Sequence, residues 1–349
     1  MIKRKKTKVI KIGNLKIGGN FPILVQSMTN TDTKDIKKTI KQIKELEKAG
    51  CEIIRVAVPD MESARAINKI KKEIKIPLVA DIHFDWKLAV ESIMQGADKI
   101  RINPGNIGDK NSVKKIIDVA KERMIPIRIG VNSGSLEKDL FKKYHNKPIY
   151  GALVESALKS VRLLESFNFF DIVVSLKSSD VFTTIKAHEM LSEKIDYPLH
   201  LGVTEAGTLT SGTIKSAIGI GSLLLNGIGD TFRVSLSAPP VEEIRAGWEI
   251  LKSLKIRNKG LDLISCPTCG RAQIPVEEIA HYIEGLQNDF KKPLKIAVMG
   301  CIVNGLGEAK KTDFAVVGIS KDKTAIFKKR KFVKNIKREE IKEYFKKIL

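Results

Sequence analysis

Three of the four cysteines lie in the last third of the chain, in a pattern typical of a metal or redox site. Cys266 and Cys269 form a CxxC motif, and Cys301 follows Gly300 further along the chain. Thiols in a reducing compartment bind metals or do redox chemistry rather than build a disulfide framework. Three thiolates leave one coordination position open for a further ligand. The fourth cysteine, Cys51, precedes an apolar run and is predicted to be a core residue.

Two kinds of metal centre suit three thiolates. A structural zinc ion needs a fourth Cys or a His, and His281, on the predicted helix 276–286, is the nearest candidate. A three-cysteine [4Fe–4S] cluster instead leaves one iron for a weaker ligand or for substrate. Glu308, seven residues after Cys301 on a predicted Gly-rich turn, is a candidate for that ligand. The residues by themselves leave both centres open.

A second candidate site consists of cations that interrupt or end short apolar runs, namely Arg55, Arg101, Arg128, Lys177 and Arg233. A buried charge without a partner is costly, so repeated cations on strands indicate a shared purpose. The planar guanidinium fork matches phosphate oxygens in pairs. The pattern therefore predicts that these cations converge on a phosphate or diphosphate.

Further polar side chains share the faces of these cations, because residues two apart on a strand point the same way. Asp81 precedes His83 by two residues, and the cations are followed by Asn103, Asn132 and Ser235. Gln26, Ser27, Thr204 and Glu205 complete a predicted polar rim. Within such a rim His83 is a candidate for positioning or for proton transfer.

The elements that carry these residues alternate between apolar runs and longer amphipathic segments, as repeated βα units do. The eight runs are Ile23–Thr29, Ile53–Val58, Pro77–Ile82, Lys99–Pro104, Ile125–Asn132, Asp171–Ser178, Pro198–Glu205 and Thr231–Ser237. Eight repeats predict an α/β fold, a (β/α)8 TIM-type barrel whose active site lies at the carboxyl ends of the strands. No GxGxxG or Walker motif is present.

Three parts are predicted along the chain. Residues 1–19 form a hairpin that caps the closed end of the barrel, residues 20–254 form the barrel, and residues 255–349 form a small α/β domain that carries the cysteines. Strands of that domain are expected near Lys295–Val298 and Ala315–Ile319.

The composition is that of a globular protein with a large positive charge. Hydrophobic residues make up 43% of the chain, and the formal net charge is +22. No run is long enough to span a membrane and no signal peptide is apparent, so a soluble, cytoplasmic protein is expected. Solvated lysines, an anionic substrate or acidic partner, and nucleic acid each account for the charge. Aromatic residues are only 6% and do not interleave with the basic runs, so nucleic acid is the weakest of these.

Long contiguous motifs along nearly the whole chain resemble the bacterial 4-hydroxy-3-methylbut-2-enyl diphosphate synthase family of the methylerythritol phosphate route to isoprenoids. The motifs are Val25-Gln-Ser-Met-Thr-Asn-Thr-Asp-Thr, Ala80-Asp-Ile-His-Phe-Asp, Arg101-Ile-Asn-Pro-Gly-Asn, Gly130-Val-Asn-Ser-Gly-Ser-Leu, Leu201-Gly-Val-Thr-Glu-Ala-Gly, Gly227-Ile-Gly-Asp-Thr, Cys266-Pro-Thr-Cys-Gly-Arg and Cys301-Ile-Val-Asn-Gly-Leu-Gly-Glu. About thirty residues separate Ser237 from Cys266, which leaves no room for the extra domain that some members carry.

The resemblance implies reductive ring opening of 2-C-methyl-D-erythritol 2,4-cyclodiphosphate, with two electrons delivered through a [4Fe–4S] cluster and a hydroxyl lost as water. Its ligands would be Cys266, Cys269, Cys301 and Glu308, the last of which leaves to admit the substrate oxygen. The substrate would be bound by Arg55, Asp81, Arg101, Asn103, Arg128, Asn132, Lys177, Arg233 and Ser235. Glu205 and His83 would supply or orient protons.

The resemblance also implies partners. A homodimer would combine the barrel of one subunit with the cluster domain of the other, and ferredoxin or flavodoxin would donate electrons. No nucleic acid or membrane partner is expected. Two rival interpretations are a non-redox barrel enzyme on a phosphorylated or pterin-like substrate with a structural zinc tail, and a basic nucleic-acid-binding protein with a zinc knuckle.

Overall fold

The computed structural model describes residues 2–286 and 293–348. The chain divides into two compact units, Met1–Leu254 and Lys255–Leu349. The first carries the predicted cations and the second carries the CxxC motif.

A two-stranded antiparallel hairpin opens the first unit. Its strands are β1 (Ile10–Ile12) and β2 (Leu15–Ile17), joined at Gly13, whose φ of 56° is the left-handed conformation that glycine adopts readily. The alternating buried side chains of this hairpin pack against residues of the barrel strands, and the cluster comprises Ile10, Ile12, Ile17, Leu24, Ile53, Val79 and Val173. The hairpin thereby covers the end at which the barrel strands begin.

Eight parallel strands form the barrel, in the order β8-β7-β6-β5-β4-β3-β10-β9. They are β3 (Leu24–Met28), β4 (Ile53–Ala57), β5 (Leu78–Asp81), β6 (Lys99–Ile102), β7 (Ile127–Asn132), β8 (Ile172–Lys177), β9 (His200–Leu201) and β10 (Thr231–Phe232). A parallel bridge between Val174 and Leu199 joins β8 to the segment before β9 and nearly closes the ring. The predicted (β/α)8 architecture is therefore present.

The last two strands are much shorter than the sequence predicted. Within the runs 198–205 and 231–237, regular strand covers His200–Leu201 and Thr231–Phe232, and single backbone hydrogen bonds continue from Arg233 to Leu201 and from Thr204 to Ser178. A side chain at Gly202 would lie 2.7 Å from the carbonyl oxygen of Arg233 and 3.1 Å from Lys177 Nζ. The two segments approach each other closely beside those cations, and the chain leaves the ladder there to line the mouth of the barrel.

In the described part of the first unit, residues 2–254, nine α-helices follow the strands: α1 (Ile36–Ala49), α2 (Met61–Glu73), α3 (Trp86–Met94), α4 (Lys110–Glu122), α5 (Lys138–Lys143), α6 (Ile149–Ser166), α7 (Val181–Ser192), α8 (Leu209–Leu225) and α9 (Pro240–Ser253). An aspartate caps the N-terminus of five of them and accepts a backbone N–H, at Asp35, Asp60, Asp85, Asp109 and Asp180. These caps set where the chain turns from strand or loop into helix.

The second unit is a five-stranded sheet with helices, ordered β11-β12-β13-β14-β15. Its strands are β11 (Leu261–Ser265), β12 (Leu294–Met299), β13 (Phe314–Ser320), β14 (Lys323–Lys328) and β15 (Lys331–Ile336), and its helices are α10 (Val276–Gly285), α11 (Ile302–Ala309) and α12 (Ile341–Ile348). The first three strands are parallel and the last two antiparallel. The sequence predicted β12 and β13 but not the other three.

Within the described ranges, no helix is both long and apolar enough to cross a membrane.

Candidate active site

A polar cavity of about 130 Å³ lies at the carboxyl ends of the barrel strands. Its walls contain all five cations that the sequence pointed to, together with one carboxylate. The lining residues are Arg55, Asp81, His83, Arg101, Arg128, Asn132, Ser175, Lys177, Thr204, Arg233 and Ser235. The parallel register places Asp81 of β5 opposite Arg101 of β6, and Arg101 opposite Arg128 of β7, so the cations form a row across neighbouring strands.

Asp81 lies between two of the arginines. Its Oδ1 is 3.2 Å from Arg101 Nη1, and its Oδ2 is 3.6 Å from Arg55 Nε. Burial by itself would raise the pKa of this carboxyl, but Arg55 and Arg101 outweigh burial and hold the pKa below its usual range. Asp81 is therefore ionised at neutral pH, accepts a hydrogen bond from Arg101 and forms an ion pair with Arg55.

His83 sits at the mouth of the cavity with 47% of its side chain exposed. Its Nε2 is 2.6 Å from Arg101 Nη1, which can only donate. Burial and then the Arg101 charge lower the pKa of His83 below 6.5. The ring is therefore neutral at pH 7, with Nε2 accepting from Arg101 and the proton on Nδ1.

Arg128 and Lys177 lie deeper in the cavity, where they are 1% and 7% exposed. Arg128 Nη1 is 3.5 Å from Gln26 Oε1, and Arg128 Nε is buried without a hydrogen-bond partner among the described residues. Burial, followed by the charges of Arg55 and Arg128, lowers the pKa of Lys177 well below its ordinary value. A buried guanidinium donor without an acceptor, beside a buried lysine, is suited to an incoming anion.

Lys99 is a further buried cation of the barrel, outside the cavity lining, that was not among the predicted site residues. It is fully buried at the start of β6, and its Nζ has no partner within the described part of the chain. It precedes Arg101 by two residues, so both side chains point to the same face of the strand. The two-residue spacing between Lys99 and Arg101 is visible in the sequence and could have identified Lys99.

Arg233 is held from behind by Glu243, a second residue that sequence reasoning missed. Arg233 Nε and Nη2 donate to the two carboxylate oxygens of Glu243 at 3.0 and 2.8 Å. Glu243 belongs to α9 and is 2% exposed. Nothing in its sequence surroundings distinguishes it from Glu242, which is why only the tertiary structure reveals it.

Four residues predicted for the site or its polar rim, namely Gln26, Ser27, Asn103 and Glu205, are not among those that line the cavity. Asn103 is buried, and its Oδ1 accepts the backbone N–H of Gly105 at 3.2 Å, so its side chain holds the loop after β6. Glu205 is exposed and has a φ of 50°, a conformation that non-glycine residues rarely adopt. It follows Thr204, which does line the cavity, so Glu205 stands at the rim.

The cysteines of the second unit lie where strands β11 and β12 end. Cys266 directly follows β11, and Cys301 precedes α11 just after β12; these two strands are parallel neighbours. The backbone N–H of Gly300 donates to Cys266 Sγ at 3.0 Å, an interaction that stabilises a thiolate. Cys269 is exposed, and all three cysteines are free thiols. Three thiols with such a donor at one edge fit an iron–sulfur cluster.

The sequence placed Glu308 on a turn, but the structure places it in α11, two helical turns after Cys301. The glycines in this segment do not break the helix, because Gly305 packs on Val317, where a side chain would lie 2.4 Å from Cγ1. Cys301 therefore stands in extended conformation before the first turn of α11, and Glu308 lies in the last turn. Glu308 Oε1 is paired with Lys311 Nζ at 2.9 Å.

The zinc alternative is not favoured by the position of His281. Its ring is 72% exposed on α10 and lies beside Glu284, with Nδ1 3.3 Å from Oε2. Among the described residues, no three His, Cys, Asp or Glu side chains converge as ligands of a single ion do. Cluster ligands each bind a different iron, so they stand farther apart than the ligands of one ion. Cys51, as predicted, is a buried residue of the first unit.

Comparisons with known proteins agree with both units. The model of the GcpE TIM-barrel domain matches residues 7–248, and that of the GcpE protein C-terminal domain matches residues 262–349. A solved dihydropteroate synthase from Stenotrophomonas maltophilia with active site-bound imidazole is similar to the barrel, with a TM-score of 0.52 and 13% identity over 71% of this chain and 97% of that one. This last likeness shows the fold alone.

Two curated relatives, both named 4-hydroxy-3-methylbut-2-en-1-yl diphosphate synthase (flavodoxin), match nearly the full length. The protein from Caldanaerobacter subterraneus subsp. tengcongensis is 61% identical over 98% of this chain and 96% of its own. That from Clostridium perfringens is 55% identical over 99% of both chains. The resemblance seen in the sequence and the predicted barrel with its C-terminal α/β domain are thereby confirmed. This chain belongs to the GcpE family.

Proposed function

We propose that this protein is the oxidoreductase of the methylerythritol phosphate route to isoprenoids that opens the ring of 2-C-methyl-D-erythritol 2,4-cyclodiphosphate. The product is 4-hydroxy-3-methylbut-2-enyl diphosphate, formed with two electrons and the loss of a hydroxyl as water. The observation that carries the proposal is the barrel cavity, in which five cations face a single lining carboxylate, Asp81. Glu243 compensates Arg233 from outside the lining, and the remaining excess of positive charge favours a polyanion.

The diphosphate is bound by the cations that line the cavity. Arg128 and Lys177 lie at its base, where burial strengthens their attraction to phosphate oxygens. Arg55 and Arg101 are held in place by Asp81 and present their remaining N–H groups to the cavity. The side chains of Asn132 and Ser235 add uncharged donors, whereas Asn103 contributes by holding the neighbouring loop.

Cys266, Cys269, Cys301 and Glu308 would hold a [4Fe–4S] cluster. When bound, such a cluster supplies electrons and a Lewis-acidic iron. Two local contacts orient these residues. Gly300 N–H donates to Cys266 Sγ, and Cys301 occupies the N-cap position of α11.

The residues at the rim of the cavity are the candidates for proton transfer. The neutral His83 ring accepts from Arg101 through Nε2, so His83 orients that guanidinium and has only Nδ1–H free to donate. Glu205 is the candidate proton donor, because its exposed carboxyl stands beside the lining residue Thr204. Its left-handed backbone fits the accumulation of strain at functional sites.

Flavodoxin, which the relatives' names give as their electron donor, is the proposed partner, with ferredoxin as the other acidic carrier of this kind. The net charge of +22 favours docking of an acidic protein. A homodimer in which the barrel of one subunit meets the cysteines of the other is the proposed assembly, as the sequence resemblance implies.

The test is purification without oxygen, followed by visible absorption, iron and sulfide analysis, and turnover of the cyclodiphosphate with reduced flavodoxin. A brown protein with about four irons per chain that forms the diphosphate product supports the proposal. A colourless protein that holds one zinc ion after attempted cluster reconstitution would overturn it.

A further inference from the structure

Glu243 has every hydrogen-bonding position of its carboxylate occupied by the chain around the cavity. Oε1 accepts from Arg233 Nη2 at 2.8 Å and from the backbone N–H of Leu236 at 3.2 Å. Oε2 accepts from Arg233 Nε at 3.0 Å and from Ser27 Oγ at 2.8 Å. One carboxylate of α9 thus joins β3, the segment after β10 and the guanidinium of Arg233.

This bidentate contact decides which part of Arg233 faces the cavity. Glu243 occupies the edge formed by Nε and Nη2, which leaves Nη1 and the second hydrogen of Nη2 free. Nη1 has only a weak contact, 3.8 Å from Met28 Sδ. The free edge carries two parallel N–H groups, the arrangement that binds two phosphate oxygens at once. A guanidinium without this contact would be free to rotate about its long side chain.

Glu243 differs from Asp81, the other carboxylate paired with these cations, in its position relative to the cavity. Asp81 lines the cavity, so its charge faces an incoming anion. Glu243 lies behind Arg233, 2% exposed and outside the cavity lining, at the N-terminal turn of α9, where the helix dipole favours a negative charge. It compensates the buried charge of Arg233 without placing a carboxylate against the substrate.

We propose that Glu243 is the positioning residue for Arg233 and that it sets the geometry with which this arginine binds the substrate's diphosphate. The inference rests on the proposed function, because it takes the cavity to be the diphosphate site. Glu243 acts only through Arg233: it orients the guanidinium and compensates its charge before the anion arrives.

A double-mutant cycle on the anaerobically purified, full-length protein tests this. Inorganic pyrophosphate serves as the probe, and its affinity is measured by calorimetry for the wild type, Arg233→Met, Glu243→Gln and the double variant. Each single variant is expected to weaken binding by about tenfold. The double variant is expected to bind no more weakly than Arg233→Met, because Glu243 has nothing left to position.

Turnover supplies a second readout. Glu243→Gln is expected to raise KM for the cyclodiphosphate about tenfold with kcat nearly unchanged, whereas a loss of folded protein would lower kcat instead. Glu242→Gln is the matched control, since Glu242 is the preceding residue of α9 and pairs only with Arg245 on the surface. It is expected to match the wild type in both measurements.

The outcomes separate this inference from the proposed function. A wild type that does not bind pyrophosphate would overturn the diphosphate site itself. If the wild type binds but Glu243→Gln binds equally well, or if the two losses multiply in the double variant, only the role of Glu243 is overturned. Should Glu243→Gln lose the wild-type circular dichroism spectrum, Glu243→Asp replaces it in the cycle, with the same non-additivity expected.

Discussion

Glu308 Oε1, near the end of α11, lies 2.9 Å from Lys311 Nζ, in the turn that follows this helix. The lysine side chain is 65% exposed and the glutamate side chain 29%. A pair as open to solvent as this one contributes at most about 0.5 kcal/mol, so the carboxylate is easily released. Glu308 is therefore free to become a ligand of iron when iron is present.

Replacement of Glu308 should separate cluster binding from turnover. Glu308→Gln is expected to retain iron through the three cysteines but to lose turnover of the cyclodiphosphate by about tenfold or more, because an amide is a poorer ligand than a carboxylate. Iron analysis and initial rates give the two readouts. Lys311→Met is the control, with iron content and rate expected to stay at wild-type values. Unchanged turnover in Glu308→Gln would contradict its role as a ligand.

The cysteines should fall into two classes by iron content. Substitution of Cys266, Cys269 or Cys301 by Ser is expected to abolish the visible absorption of the cluster after anaerobic reconstitution. Cys51→Ala should keep it, because Cys51 is buried in the barrel and burial raises the pKa of its thiol to about 12. Loss of absorption in Cys51→Ala, or its retention in the other three, would show that the ligand set is wrong.

Arg128 is expected to lower the free energy of unfolding of the protein while it contributes to anion binding. Because it is 1% exposed and its Nε lacks a partner in the described residues, Arg128→Met is expected to raise the free energy of unfolding, by about 1 kcal/mol or more. The same substitution should weaken pyrophosphate binding by about tenfold or more.

Urea denaturation and calorimetry measure these two effects of Arg128→Met. Lys159→Met, which removes an equal charge from the exposed face of α6, is the control and should change neither by much. Weaker binding together with lower stability would mean that Arg128 supports the fold instead.

The protonation of the His83 ring is expected to make anion binding depend on pH. Its pKa is lowered below 6.5 by burial and by Arg101, so the ring is neutral at pH 7 and gains a positive charge only as the pH falls through that lowered pKa. A bound anion favours the protonated ring. The ratio of wild-type to His83→Gln pyrophosphate affinity is therefore expected to rise as the pH is lowered from 8 to 5. The ratio cancels the titration of pyrophosphate, and a flat ratio down to pH 5 would refute the link.

Asp81 should contribute stability that is lost in acid. Its folded-state pKa is held below the ordinary 3.8, so its contribution is fully present above that pH and disappears as the pH falls through the lowered pKa. Asp81→Asn leaves Arg55 and Arg101 without their carboxylate and is expected to cost about 3 kcal/mol at pH 7. Denaturation at pH 7 and pH 3 checks this, with a smaller difference between variant and wild type expected at pH 3.

Much of the fold and part of the site could be predicted from the sequence alone, because they depend on local patterns. Short apolar runs separated by segments of helical periodicity were enough to predict the eight barrel strands. Alternation along each strand was enough to direct Arg55, Arg101, Arg128 and Lys177 to one cavity, since parallel strands present equivalent positions at one end of the barrel. The motifs were enough to identify the family.

The tertiary structure decided what depends on contacts between distant segments. Glu243 reaches Arg233 and Ser27 because α9 packs beside the barrel strands, a relation that no spacing in the sequence contains. Asn103 shares the strand face of Arg101, yet its side-chain oxygen accepts a hydrogen bond from the backbone N–H of Gly105 in its own loop. Glu308 lies in a helix rather than a turn, and Gly305, three residues earlier in that helix, packs against Val317 of β13. Periodicity tells which way a side chain points, and only packing tells which partner it meets.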